Sequence, residues 1–424
     1  MQEERVMRPC RSVSGTIRPP GSKSLTNRAL VLAALARGTS RIAGALHSED
    51  TEAMAGALND LGIEVRAGPP APFFTVTGCD GRIPATVAHL DVGNSGTSMR
   101  FLSALVALGH GRFRLDGSAR MRERPIADLL APLNALGARA RCEGEGGCPP
   151  VLIDADGLAG GAVRVSGALS SQFLSGLLMA APYASGPVEI QVEGTLVSRP
   201  YVAMTLAAMR AFGARVEEPA ARRFVVDHCA HYRSREYAVE PDASNASYFL
   251  AAAALTGGCV RVEGIGTQSL QGDARFAEVL EGMGATVGRG PDWTEVQGGR
   301  LVGLDADLND MPDLALTVAA MAPFAEGPTS IRNVATLRLK ETNRLHALAT
   351  ELRRLGQQVD ERPDGLTITP APVRPARVET YNDHRMAMSF ALVGLKVPGI
   401  VILNPGCVAK TFPDFFDYLD RLCR

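Results

Sequence analysis

Gly21-Ser22-Lys23-Ser24-Leu25-Thr26-Asn27-Arg28 runs without a break into Ala29-Leu30-Val31-Leu32-Ala33-Ala34-Leu35-Ala36, and the short segment 39–42 follows. The small and polar residues make a turn. The run after them carries no polar stripe, so it reads as a helix buried on every side. The same order of turn, apolar helix, Gly and strand recurs five more times, and internal repetition of this kind decides the architecture. In the second copy 90–92 and Gly93-Asn94-Ser95-Gly96 lead a helix to Leu108, and 111–115 follows. The third has 163–165, Ser170-Ser171-Gln172 and 188–192. The fourth has 237–239, Asp242-Ala243-Ser244 and 259–262. The fifth has 301–304, Met311-Pro312-Asp313 and 329–331, and the sixth has 377–379, Asn382-Asp383-His384-Arg385 and 399–403.

A second helix follows in each copy. Five of these close on Gly62, Gly137, Gly213, Gly284 and Gly356, where a left-handed C-cap is expected. The charged second helices, such as 343–355 with Arg344, Glu351, Arg353 and Arg354, read as amphipathic and solvent-facing. The repeat length of about 70 residues exceeds that of solenoid units. The expected fold is therefore α/β: two lobes, each of three βαβαββ repeat units around buried helices. Residues 21–238 make the first lobe, and 1–20 with 239–424 the second. The chain crosses between lobes near 19–21 and 235–241.

Bulk composition removes several function classes. The 424 residues carry a formal net charge of −1 and a single Trp, so no global field or base-stacking surface points to nucleic acid. The eight cysteines form no C-x-x-C pair, and no His stands near them at metal-ligand spacing, so free thiols in a reducing cytoplasm are expected. No metal is implied. The opening residues Met1-Gln2-Glu3-Glu4-Arg5 lack the apolar core of a signal peptide, and no apolar run approaches a bilayer span. There is no Walker A loop, no G-x-G-x-x-G after the first strand, no H-E-x-x-H and no G-x-S-x-G.

Cations gather at or beside the repeat turns: Lys23 and Arg28, Arg100, 120–124, Arg199, Arg338, Lys340 and Arg344, Arg385, Lys410. Helix N-termini already present unpaired N–H groups and partial positive charge. A near-neutral chain with cations at such places reads as a binder of small polyanions, phosphates and carboxylates above all. Asp313, Glu341 and Asp383 with His384 lie among these cations. Asp313 reads as a helix N-cap, Glu341 as an ion-pair partner of Lys340 or Arg344, and both equally as groups that move protons.

Eight segments stand in order, each at a repeat turn or its flanks. They are Pro20-Gly21-Ser22-Lys23-Ser24 with Asn27-Arg28-Ala29, Gly93-Asn94-Ser95-Gly96-Thr97 with Met99-Arg100, Arg122-Glu123-Arg124-Pro125-Ile126, and Ser170-Ser171-Gln172-Phe173. Then come Ser198-Arg199-Pro200-Tyr201, Lys340-Glu341-Thr342, Tyr381-Asn382-Asp383-His384-Arg385-Met386-Ala387-Met388 and Lys410-Thr411-Phe412-Pro413-Asp414. Together they resemble the 5-enolpyruvylshikimate-3-phosphate synthase family over essentially the whole chain. The resemblance implies an enolpyruvyl transferase-like inverse α/β barrel whose two lobes close on substrate. It implies transfer of the enolpyruvyl group of phosphoenolpyruvate to shikimate 3-phosphate, through a tetrahedral intermediate, in a cytoplasmic monomer without cofactor or metal.

By position, the resemblance implies that Lys23, Ser24, Arg28, Ser170, Ser171, Gln172, Ser198, Tyr201, Asp313 and Lys340 hold shikimate 3-phosphate. It implies that Lys23, Gly96, Arg124, Gln172, Arg344, Arg385 and Lys410 hold phosphoenolpyruvate, and that Lys23, Asp313 and Glu341 are catalytic. Three positions depart from the family pattern: Thr336 where Asn is common, Phe101 where many members have Pro, and Arg199 where Lys is frequent. The related UDP-N-acetylglucosamine enolpyruvyl transferase commonly carries a reactive Cys in the loop that here reads Asp116-Gly117-Ser118-Ala119-Arg120. No Cys lies between 80 and 141. A non-catalytic phosphometabolite binder is the other alternative, disfavoured by the presence of both Asp313 and Glu341.

Overall fold

Each apolar run forms a helix: Lys23–Leu35, Gly96–Val106, Ser171–Ala180, Ala243–Thr256, Ala315–Met321 and His384–Gly394. These belong to a computed structural model that describes residues 3–68 and 72–424. The first two residues of the stretch read for a signal peptide lie outside the described residues. Every residue of Gly96–Val106, Ala243–Thr256 and His384–Gly394 is buried, as a helix without a polar stripe requires. The second helices are Glu49–Asp60, Ala127–Ala135, Arg199–Ala211, Phe276–Gly282, Arg344–Arg354 and Phe415–Leu422. The five glycines that follow them are all left-handed, with φ of +80° at Gly62 and +90° at Gly356 for example, a region a Cβ disfavours.

Contacts divide the chain into two units, Gly21–Val239 and Met1–Pro20 with Glu240–Arg424. Within each, three core helices pack against one another inside one continuous apolar cluster. Each unit also holds three small sheets. In the sheet of Val87–Asp91, His110–Asp116, Val151–Asp156 and Arg139–Cys142, the first two strands are parallel and the rest antiparallel. A buried helix makes the parallel crossover and a hairpin completes the sheet. The sheets stay separate, so no ring of strands closes among the described residues.

Two features differ from the expected repeat. Glu236–Ala238, assigned above to the fourth copy, pairs in parallel with Arg37–Ala43 of the first. Its place in the fourth sheet goes to Gly15–Ile17, parallel to Cys259–Glu263. The strand before each crossing therefore stays with the unit being left, which seals the edge that crossing would expose. In the sixth sheet Glu4–Val6 lies antiparallel to Val401–Leu403, on the side away from Arg377–Val378.

The solvent-facing reading of the fifth second helix also needs correction. Arg354 stays half-exposed, but Arg344 and Glu351 are buried. Among the described residues no helix is long and apolar enough to cross a membrane.

Candidate functional site

In the unit Gly21–Val239, Lys23 opens the first core helix and its Nζ lies 3.0 Å from Oδ2 of Asp50. Asp50 sits in the first turn of the neighbouring helix Glu49–Asp60, where its charge complements the helix dipole. The Ser98 hydroxyl donates to the Asp50 carbonyl at 3.4 Å, tying this pair to the second core helix. At the start of that helix a Cβ on residue 96 would stand 2.4 Å from an Arg124 nitrogen and 2.9 Å from an Arg100 nitrogen. Gly96 is thus the only residue that lets both guanidiniums rest on the helix N-terminus. Arg124 is 4% exposed and donates to the Asn94 carbonyl. Arg100 donates to the carbonyls of Gly96 and Pro125.

The third core helix is capped by Ser170, whose hydroxyl accepts from the Gln172 amide at 3.2 Å. The Gln172 side chain donates to Thr97 Oγ1 at 3.3 Å, and so joins the second and third helix starts. Ser198 precedes the helix Arg199–Ala211 in a left-handed conformation, φ +54°, and makes no side-chain cap bond. A non-Gly residue held there is strained, a condition that concentrates at functional positions.

Arg28 is 1% exposed. It donates to Thr205 Oγ1, Ser175 Oγ and the carbonyls of Ser24 and Tyr201. Four of its five N–H groups thereby go to protein, and its guanidinium stands over Phe101, 5.2 Å from the ring centroid. The departure at Phe101 therefore supports Arg28 from below.

The second cluster lies in the unit Met1–Pro20 with Glu240–Arg424. Arg344 is 1% exposed and binds Asp383 through two nitrogens, at 2.7 and 3.1 Å, and Asp313 at 2.9 Å. It also lies 2.8 Å from Glu341, which settles the ion-pair partner left open by the sequence. Arg385 reaches the other Asp313 oxygen at 3.1 Å and donates to the Tyr248 hydroxyl at 3.3 Å. Lys340 is 3.8 Å from Asp313. Asp313 is spent on these ion pairs within the 3-10 turn Pro312–Leu314, and no side-chain cap bond begins the helix there.

Burial alone would raise the Asp313 carboxyl, but Arg385, Lys340 and Arg344 together hold it well below the usual carboxylate range. Burial lowers Arg344 in turn, and Asp383, Glu341 and Asp313 outweigh it, so its charge is permanent. Asp383 caps the sixth core helix through the Arg385 amide, after Tyr381 and Asn382 both turn left-handed. Lys410 is 5% exposed and ends the turn Pro405–Lys410, which packs on that helix.

Other turn cations pair with acids outside the two clusters. Arg120 pairs with Glu123, Arg122 with Asp116, Arg199 with Glu218 and Arg338 with Glu361, all at least partly exposed. The fourth helix start carries acids: Asp242 caps it, and Ser244 donates to the buried Asp273. Thr336 lies half-buried in the turn Ala335–Leu339. Sequence reasoning missed Asp50, Tyr248 and Asp273. It also passed over His228, whose Nε2 is 3.6 Å from the Cys229 sulfur beside Asp227.

A family model described as EPSP synthase (3-phosphoshikimate 1-carboxyvinyltransferase) matches residues 7–419. The chain is 53% identical over 407 residues to 3-phosphoshikimate 1-carboxyvinyltransferase of Nostoc punctiforme, covering 96% of each chain. It superimposes on the solved EPSP synthase of Acinetobacter baumannii with a TM-score of 0.82 and 28% identity, over 100% of this chain and 98% of that one. The enolpyruvyl transferase NikO of Streptomyces tendae shares the fold, with a TM-score of 0.80 at 21% identity, over 100% and 98% of the two chains. On the family model and this identity, the chain belongs to the EPSP synthase (3-phosphoshikimate 1-carboxyvinyltransferase) family.

Proposed function

We propose that the Lys23 cluster of the unit Gly21–Val239 and the Arg344 cluster of the unit Met1–Pro20 with Glu240–Arg424 both serve one transfer reaction. The chain is a transferase of the shikimate pathway. It joins the enolpyruvyl group of phosphoenolpyruvate to the 5-hydroxyl of shikimate 3-phosphate and releases phosphate. The observation that carries the residue assignment is Asp313, Glu341 and Arg344 in one buried ion-pair network beside Lys340 and Arg385.

Phosphoenolpyruvate is a weak electrophile until its anionic groups are matched and its methylene carbon is protonated. Lys23, Gly96, Arg124, Gln172, Arg344, Arg385 and Lys410 hold its carboxylate and phosphate, and buried guanidiniums do so in fixed geometry. Glu341 delivers the proton to the methylene carbon, making C2 cationic in character. Asp313 takes the proton of the 5-hydroxyl as that oxygen attacks C2. Phosphate then leaves the tetrahedral adduct as Glu341, now a carboxylate, takes a proton back from the methyl carbon to restore the double bond; Lys23 stabilises the departing oxygen, and the proton held by Asp313 leaves with the phosphate. Preorganised charges of this kind are worth about 2.7–4 kcal/mol each.

In the free protein Asp313 is a poor base, because three cations hold it low. Substrate anions that share Arg385, Lys340 and Arg344 weaken that hold, so basicity rises when the reactants are bound. Ser24, Ser170, Ser171, Gln172, Ser198, Tyr201, Asp313 and Lys340, with Lys23, hold shikimate 3-phosphate. Arg28 has one N–H left for it and otherwise fixes Ser24 and Tyr201. No cofactor or metal enters this scheme, and the protein acts as a cytoplasmic monomer.

The test is phosphate release from phosphoenolpyruvate with each acceptor in turn. Shikimate 3-phosphate supports turnover and UDP-N-acetylglucosamine does not; the reverse result removes the reading.

A further inference from the structure

Arg344 and Glu351 stand about two turns apart on the helix Arg344–Arg354, so their side chains leave the same face. Both meet the segment 379–385. Arg344 binds Asp383 at 2.7 and 3.1 Å. Glu351, whose side chain is fully buried, accepts from the Tyr381 hydroxyl at 2.8 Å through Oε1. Its Oε2 accepts from the Glu379 amide at 3.2 Å and from Arg354 Nη1 at 2.9 Å. One helix face thus grips this segment at two places.

The strained residues lie at and between these grips. Tyr381 and Asn382 both have φ of +54°, and two successive non-Gly residues in that region persist only where their surroundings hold them. Glu379 Oε1 accepts from the amides of Thr380 and Tyr381 at 3.1 and 3.2 Å. The Thr380 hydroxyl donates to the Leu403 carbonyl at 2.9 Å, and the Asn404 side chain donates to Asn382 Oδ1 at 3.0 Å. The Tyr381 hydroxyl ties the left-handed pair itself to the helix that carries Arg344. Directly after the pair, the Asp383 amide donates to the Thr380 carbonyl at 2.9 Å, and Asp383 Oδ1 accepts from the Arg385 amide at 2.9 Å.

We propose that Glu351 and Tyr381 are positioning residues for the transfer reaction: their hydrogen bond locks the left-handed pair and so sets Asp383 and Arg385 against Arg344 before substrate arrives. The inference rests on the assignment of Arg344 and Arg385 to phosphoenolpyruvate. Neither Glu351 nor Tyr381 is assigned a substrate contact. With the bond gone, the segment 380–385 samples more conformations, and phosphoenolpyruvate must order it on binding. Shikimate 3-phosphate is affected less, because Lys23, Ser24, Arg28, Ser170, Ser171, Gln172, Ser198 and Tyr201 all belong to the unit Gly21–Val239.

The test is Tyr381→Phe in the full chain, which keeps the ring and removes the hydroxyl that Glu351 accepts. Amide hydrogen exchange of the substrate-free variant is expected to quicken in peptides covering 379–385 and to stay as in wild type over the other core helices. In the phosphate-release assay KM for phosphoenolpyruvate should rise roughly tenfold, while kcat and KM for shikimate 3-phosphate stay within about twofold. A merely structural role would reduce the active fraction, and with it kcat, without selecting one substrate. An unchanged KM for phosphoenolpyruvate overturns the proposal, as does an equal rise for both substrates. Unchanged exchange over 379–385 overturns it too, whatever the kinetics. Wild-type protein that releases no phosphate with shikimate 3-phosphate removes the functional reading instead, and the exchange result still decides whether the bond holds the segment.

Discussion

Arg344→Met removes the cation around which Asp313, Glu341 and Asp383 are arranged, and leaves those carboxylates buried. Breaking a buried pair from one side costs about 3–5 kcal/mol. That is a large share of a domain's net stability of about 5–15 kcal/mol. The loss should fall on the unit Met1–Pro20 with Glu240–Arg424. Trp293, the only Trp, lies in that unit with Arg261 stacked 3.9 Å from its ring, so its fluorescence in a urea titration reports this unit selectively.

The pH dependence gives a second check. In the wild type the Asp313 carboxyl is depressed, so its stabilisation is full above the unfolded value of 3.8 and is lost as pH falls through the lower folded value. Without Arg344 one of the three restraining cations is gone, burial weighs more, and that stabilisation shrinks. The deficit of Arg344→Met should therefore be constant from about pH 8 to 5 and narrow from about pH 4 downward. A deficit below about 1 kcal/mol at pH 7, the size of an exposed pair, refutes the reasoning, as does one that widens on acidification.

Lys23→Ala and Glu341→Gln should each lower kcat by roughly a hundredfold or more; turnover within about threefold for both would remove them from the chemistry. Gly96→Ala should raise KM for phosphoenolpyruvate by roughly ten- to a hundredfold. The methyl displaces Arg124 and Arg100 at their flexible ends, so one charge-assisted contact of about 1.5–3 kcal/mol is lost with little change in stability. Burial pushes the Asp273 carboxyl up to about 6, helped by Asp313, so its contribution to stability is lost as pH rises through that value. Asp273→Asn should accordingly stabilise the Trp293 transition more at pH 7.5 than at pH 5, the gain vanishing only toward the unfolded value of 3.8; equal effects at pH 7.5 and 5 contradict the assignment.

The sixfold layout was legible because each copy states it locally. An apolar run with no polar stripe is a buried helix wherever it falls, and a Gly after a second helix marks its end. Which strand completes which sheet was not legible. Glu236–Ala238 stands in sequence directly before the fourth core helix, and only the pairing with Arg37–Ala43 shows that it belongs to the first sheet. Local pattern fixes that a segment is extended; the partner is fixed by which edge would otherwise remain open.

The candidate site divides along the same line. Lys23, Arg124, Arg385 and Lys410 were visible because a cation at a turn before an apolar helix is unusual in itself. Arg344 and Glu351 misled, since charged residues at helical spacing read as a solvated face. Both instead turn inward because partners await them: the carboxylates of Asp383 and Asp313 for Arg344, the Tyr381 hydroxyl and the Arg354 guanidinium for Glu351. Periodicity reports polarity, and it cannot report compensation, which depends on residues tens of positions away. Asp50 makes the same point from the opposite side. It looks like an ordinary first-turn acid of an amphipathic helix, yet at 3% exposure it is the group that holds the Lys23 ammonium in place. The residues that position a catalytic cation are thus the ones a single sequence hides best, because their own local context already accounts for them.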